Sequence, residues 1–151
     1  MISFDTNLLV YAANLDAGEC PAARRFLEKM AAREDVIICE LMLVEAYLKL
    51  RNTHVMRHPF SAPEAAAYCQ TFRTHPRWML VESAPVMNGL WSQAARKNFA
   101  IRRIIDTRLA LTLRYFGVTE FATTNGKDFD DFGFSRVWNP LILEKEMQST
   151  K

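Results

Sequence analysis

The chain has 151 residues, half of them hydrophobic, with 19 Lys or Arg against 17 Asp or Glu. That length suits one domain with a real core, the composition excludes a disordered chain, and a formal charge of +2 does not by itself announce a nucleic-acid binder. Cys20, Cys39 and Cys69 are odd in number, widely spaced and free of any CxxC, which argues against a disulfide framework or thiolate zinc site and for a reducing cytoplasm.

In chain order, residues 1–5 read as a short strand and NLLVYAAN as a helix. PAARRFLEKMAAR is a stronger helix with Pro21 in its first turn. VIIC (36–39) is a compact apolar run suited to a buried parallel strand, and ELMLVEAYLKLRN follows as a helix. Residues 53–61 (THVMRHPFS) are irregular before APEAAAYCQTFRTH resumes helical character. WMLVE (78–82) is a third strand and PVMNGLWSQAARKN a helix. Asp106 opens the helix DTRLALTLRYFG, which Gly117 stops. EFATT (120–124) is a fourth strand, NGKDFDDFG a loop or short helical turn, and SRVWN a last strand.

Strands alternating with helices predict an α/β fold, an α/β/α sandwich with a mainly parallel central sheet. One domain is expected over residues 1–141, followed by a C-terminal tail, 142–151. The start of the chain lacks a basic leader with an apolar h-region, and no uncharged run reaches transmembrane length. A soluble, cytoplasmic protein without membrane contact is expected.

Sheets of this type build their sites outside the carboxyl ends of the strands. Asp5 stands where the first strand ends, Asp106 where a helix begins, and Asn125 and Asp128 just after the fourth strand. Glu45 lies in the helix after VIIC, on a surface read as dominated by Leu41, Val44 and Leu48. Converging carboxylates repel one another unless a cation neutralises them, and oxygen donors without Cys or His suit Mg²⁺ or Mn²⁺. Such ions support in-line displacement at a phosphodiester, which makes a metal-dependent nuclease the chemical hypothesis. Each acid also has a plainer role. Asp5 and Asp106 fit helix N-caps, Glu45 can pair with an arginine, and Asp128 can be a loop residue.

The ordered set IxxDTNLL, the Glu45 helix after a buried strand, IIDTRLALTL, TTNGKDF and WNPL (138–141) resembles the PIN domain. Within that family the chain most resembles the VapC-type toxins of bacterial toxin–antitoxin pairs, over nearly its whole length. The resemblance implies a Mg²⁺- or Mn²⁺-dependent endoribonuclease with RNA as substrate, a small antitoxin protein as partner, and a homodimer. Asp5, Glu45 and Asp106 match the three core acids. Asp5 and Asp106 would bind metal directly, Glu45 directly or through water, and Asp128 would serve a second metal position. Thr6, Asn7, Thr124 and Asn125 are the supporting polar residues. Many relatives carry Asp where this chain has Asn125, which opens a second reading, a catalytically silent PIN-fold module that binds antitoxin or RNA. A haloacid-dehalogenase-like phosphotransferase with Asp5 as nucleophile would need a second Asp where Asn7 stands.

The segment 96–114 carries six Lys or Arg and one acid, so Arg102, Arg103 and Arg108 are candidates to guide RNA, against the simpler reading of a solvated helix face. His54 and His58 are four apart, but they lack the Glu of HExxH and Pro59 interrupts the segment. A surface or loop role is expected for them. Leu8, Leu9, Tyr11, Phe26 and Leu27 are expected in the core, as are Trp78, Trp91 and Trp138.

Overall fold

Five three-residue strands carry the apolar runs: β1 (Ile2–Phe4), β2 (Ile37–Cys39), β3 (Met79–Val81), β4 (Glu120–Ala122) and β5 (Arg136–Trp138). The structure is a computed structural model and describes residues 1–142. The expected C-terminal tail lies outside the described residues apart from Ile142. Strand β1 pairs in parallel with β4, β4 with β5, and β2 with β3. A parallel bridge between Ile2 and Val36, with the Ile2 N–H donating to the Asp35 carbonyl at 2.9 Å, joins the two groups. The resulting order is β3-β2-β1-β4-β5, parallel throughout.

Six α-helices connect these strands: α1 (Thr6–Ala13), α2 (Cys20–Ala31), α3 (Glu40–Leu50), α4 (Ala62–Arg73), α5 (Met87–Ala94) and α6 (Ile104–Tyr115). Parallel neighbours need crossovers, and crossovers are right-handed, so the direction of travel decides which face a helix covers. From β1 to β2 to β3 the chain moves one way across the sheet, through α1 to α4. It then reverses from β3 to β4 through α5 and α6. The helices therefore cover opposite faces, giving the expected three layers. The reversal makes the gap between β1 and β4 a topological switch point, where such folds bind ligands at the carboxyl ends.

Local chemistry sets the helix ends. Ser61 and Glu64 form a reciprocal capping box that starts α4. Helix α6 ends in a Schellman turn: Gly117 adopts φ of +91°, its N–H bonds the Arg114 carbonyl, and the Val118 N–H bonds the Leu113 carbonyl at 3.0 Å. In the core, Phe4 makes edge contacts with Phe26 and Trp78, and Phe121 packs on Phe129 and Phe134. Leu8, Leu9, Phe26 and Leu27 are buried and Tyr11 is half-buried. The irregular segment after α3 is tied down by buried Met56 and by the Phe60 N–H bonding the Leu50 carbonyl.

Three expectations are corrected. Helix α6 begins two residues before Asp106, with Arg103 at the N-cap, so Asp106 lies in the first turn and is not a cap. Val44 and Leu48 are exposed because α3 turns Met42, Leu43, Ala46 and Leu50 to the core, leaving Glu45 on the flank of that face. Trp91 is 61% exposed, since α5 buries Leu90 and the next residue points about 100° away around the helix. Trp78 and Trp138 are half-buried against the core.

Candidate active site

Asp5 leaves β1 at the switch point, where its N–H donates to the Ala122 carbonyl at 2.8 Å. Its backbone is extended at the N-cap position of α1, yet its carboxylate makes no capping bond. Instead Oδ2 accepts from the Thr123 hydroxyl at 2.9 Å, across the gap to the end of β4. The side chain is buried, which raises its pKa; the Thr123 bond, the Lys49 charge and the amides of Thr6 and Asn7 oppose that rise. The carboxylate is thus held by the neighbouring strand and not by the helix it precedes.

Two further acids enter the same field. Glu45, half-buried on α3, has its pKa pushed up to about 7, first by burial and then by the charges of Asp5 and Asp106, against the pull of Lys49. Asp106, in the first turn of α6, is pushed up to about 6 by burial and by Asp5 and Asp128, against Lys49 and Arg103. Asp128 is exposed in the 3-10 turn Gly126–Asp128, with its N–H on the Asn125 carbonyl at 3.0 Å. Its charge reaches Asp106 from the β4 side. A strand end, the middle of α3, the first turn of α6 and the turn after β4 are thus coupled electrostatically.

The supporting residues divide. Thr6 is buried and its hydroxyl has no hydrogen-bond partner among the described residues, an unspent oxygen beside Asp5. Asn7 accepts from the Lys49 ammonium at 2.6 Å. Thr124 is half-buried, and the bond to Asp5 comes from Thr123, one residue earlier. The Asn125 N–H donates to the Thr123 hydroxyl at 3.0 Å, which helps to orient that hydroxyl toward Asp5. Sequence reading missed Lys49 and Thr123. The i, i+4 spacing of Glu45 and Lys49, which puts both on one helix face, was the available signal for the lysine.

The three arginines have different surroundings. Arg102 is exposed. Arg103 holds Asp131 through both terminal nitrogens at 3.0 and 2.8 Å and lies over the Phe132 ring. Arg108 is half-buried, with Nε unpartnered among the described residues. A cavity of about 510 Å³ opens between the α5–α6 connection and the Asp131–Phe132 turn, lined by Arg96, Phe99, Arg103, Thr107 and Phe132 among others. His54 and His58 are exposed, and His58 pairs with Asp16 at 2.9 Å.

Oxygen donors alone, mutually repelling carboxylates and an unpartnered hydroxyl form a donor set that fits a hard divalent cation. Among the described residues, no three His, Cys, Asp or Glu side chains close into a ready-made cage. No helix among the described residues is long and apolar enough to cross a membrane.

No protein-family model matches the chain. Over 144 residues it is 56% identical to Ribonuclease VapC24 of Mycobacterium tuberculosis, in each of two strains, covering 95% of this chain and 99% of that protein. Its fold is similar to the crystal structure of Mycobacterium tuberculosis VapC20, described as a sarcin–ricin loop cleaving toxin, with a TM-score of 0.67 at 18% identity over 89% of this chain and 96% of that one. It is also similar to FitAcB from Neisseria gonorrhoeae, with a TM-score of 0.57 at 18% identity over 93% and 98% of the two chains.

Proposed function

The chain belongs to the VapC family of PIN-domain ribonucleases, and from that premise we propose that it is a Mg²⁺- or Mn²⁺-dependent endoribonuclease, the toxin of a type II toxin–antitoxin pair. The observation that carries the metal-dependent reading is the convergence of Glu45 and Asp106 on buried Asp5 at the switch point, both feeling its charge. Asp5 and Asp106 would hold the ion directly, Glu45 directly or through water, and Asp128 closes the β4 side. When bound, the ion supplies Lewis acidity at the RNA phosphodiester.

The remaining work falls to the chain's own side chains. Thr123 fixes the orientation of the Asp5 carboxylate, and Lys49 keeps Asp5, Glu45 and Asp106 more acidic than burial alone would leave them. Glu45, within the field of Asp5 and Asp106, would help to orient the attacking water. Arg102, free on the surface, and Arg103 at the rim of the cavity track the RNA backbone, with Arg108 behind them. A small antitoxin protein, a homodimeric state and a cytoplasmic setting complete the reading.

Asn125 favours a second reading, a silent module that keeps the fold and binds antitoxin or RNA. Expression in a bacterial host with mapping of RNA 5′ ends decides between them. Growth arrest with new 5′ ends from the wild type, and neither from Asp106→Asn, supports the toxin. A host that grows normally with unaltered RNA supports the silent module.

A further inference from the structure

Lys49 is the cation common to Asp5, Glu45 and Asp106. It follows Glu45 by one helical turn on α3, so both side chains leave the same face. A lysine side chain is long and ordinarily mobile, but its ammonium donates to Asn7 Oδ1 at 2.6 Å, and Asn7 is only two residues beyond Asp5. Its charge is felt at Asp5, Glu45 and Asp106 alike. Among the described residues it closes onto none of them as an ion pair, so it stands among the acids instead of neutralising a single one. On the β4 side, Asn125 is neutral, leaving exposed Asp128 as the acid there.

We propose that Lys49 takes the place of a second divalent cation, so that the site holds a single metal ion and the lysine supplies the other positive charge facing the RNA phosphate. Two-metal sites use their second ion to stabilise charge on the attacking and leaving oxygens. A pinned ammonium performs the electrostatic part of that role as a point charge, which is how lysine ordinarily binds phosphate. It also repels a second ion from the same acids. Asn7 thereby acquires a defined role as the residue that positions the lysine. The proposal rests on the metal-dependent reading above.

Calorimetric titration of the full chain with Mn²⁺ separates the two ideas, using wild type, Lys49→Met, Lys49→Arg and Asp5→Asn, each checked for folding by circular dichroism. Wild type is expected to bind one Mn²⁺. Removing a positive charge beside the ion makes Lys49→Met bind its first Mn²⁺ at least about tenfold more tightly and admit a second. Lys49→Arg keeps one ion with affinity within about threefold of wild type, because the charge is retained. With Mn²⁺ just sufficient to fill the first position, cleavage falls in Lys49→Met and is largely kept in Lys49→Arg; as the second ion enters Lys49→Met at higher Mn²⁺, its cleavage recovers. Two ions on wild type, or a folded Lys49→Met that binds one ion no more tightly than wild type, overturns the proposal. Absence of Mn²⁺ binding by wild type, matched by Asp5→Asn, overturns the metal-dependent reading and the proposal with it.

Discussion

Glu45→Gln should stabilise the metal-free protein while abolishing its activity. The Glu45 carboxyl titrates at about 7 in the fold against an ordinary 4.5. Ionising it above neutrality therefore costs the native state on the order of 3 kcal/mol, at about 1.4 kcal/mol per pH unit. Water reaching this half-buried side chain reduces the cost to about 1–2 kcal/mol. The sign follows from the raised value: the protonated form favours folding, so this stability is complete below about pH 4.5 and is lost as pH rises through about 7. Glutamine is neutral at every pH and escapes the cost. In EDTA at about pH 8, Glu45→Gln should melt roughly 2–8 °C above wild type, on the scale of a domain this size. At about pH 4 the glutamate is largely protonated in both the folded and unfolded chain, and the difference should nearly vanish. Adding Mn²⁺ at the higher pH should favour wild type, which gains a ligand interaction the variant lacks. Thermal unfolding by circular dichroism reads all of this. A variant less stable than wild type at the higher pH, or a gap that does not change with pH, would refute the placement of Glu45 in a repelling acid cluster.

Other predictions concern the rest of the site and the core. Thr123→Val removes the bond to Asp5 and should cost about 1–2 kcal/mol of stability, measurable by urea unfolding, and should weaken Mn²⁺ binding; unchanged binding would detach Thr123 from the site. Mn²⁺ affinity should rise with pH from about 5 to 8 as Glu45 and Asp106 ionise, because both are raised acids in the metal-free protein and their charged forms hold the ion. An affinity that is flat across that range in calorimetric titration would remove both from the site. Phe129→Ala hollows the contact with Phe121 and should cost about 3–5 kcal/mol in the same unfolding assay. A loss below about 1 kcal/mol would mean that the β4 side of the core is loosely packed.

The strand β2 was legible because VIIC is a short apolar run bounded by Asp35 and Glu40, and the others because β-prone residues stand between turn residues and helical segments. Their parallel order followed from the intervening helices. What the sequence obscured was the angular position of side chains. Leu41, Val44 and Leu48 look like a core face in the sequence, yet α3 is rotated so that Met42, Ala46 and Leu50 take that role. Trp91 misled for the same reason, one position from buried Leu90. Asp106 was legible as a site candidate but not in its helical position, since the IIDT segment contains no residue that favours an N-cap before Asp106 and the helix begins without one. Lys49 and Thr123 were hidden because their roles depend on partners 42 and 118 residues away. The acids were easier to find, since a carboxylate at a strand end is conspicuous without knowledge of its neighbours.

Whether Asp5 and Asp106 form a metal-dependent ribonuclease site is tested by the cleavage of one defined RNA by purified wild type, Asp5→Asn and Asp106→Asn as Mn²⁺ is titrated from an EDTA-stripped start. Wild type should be inactive without the ion and gain activity as it is added. Both variants, folded but each missing one ligand charge, should lose on the order of a hundredfold or more. Cleavage that survives EDTA, or variants that cut as fast as wild type, would contradict the account.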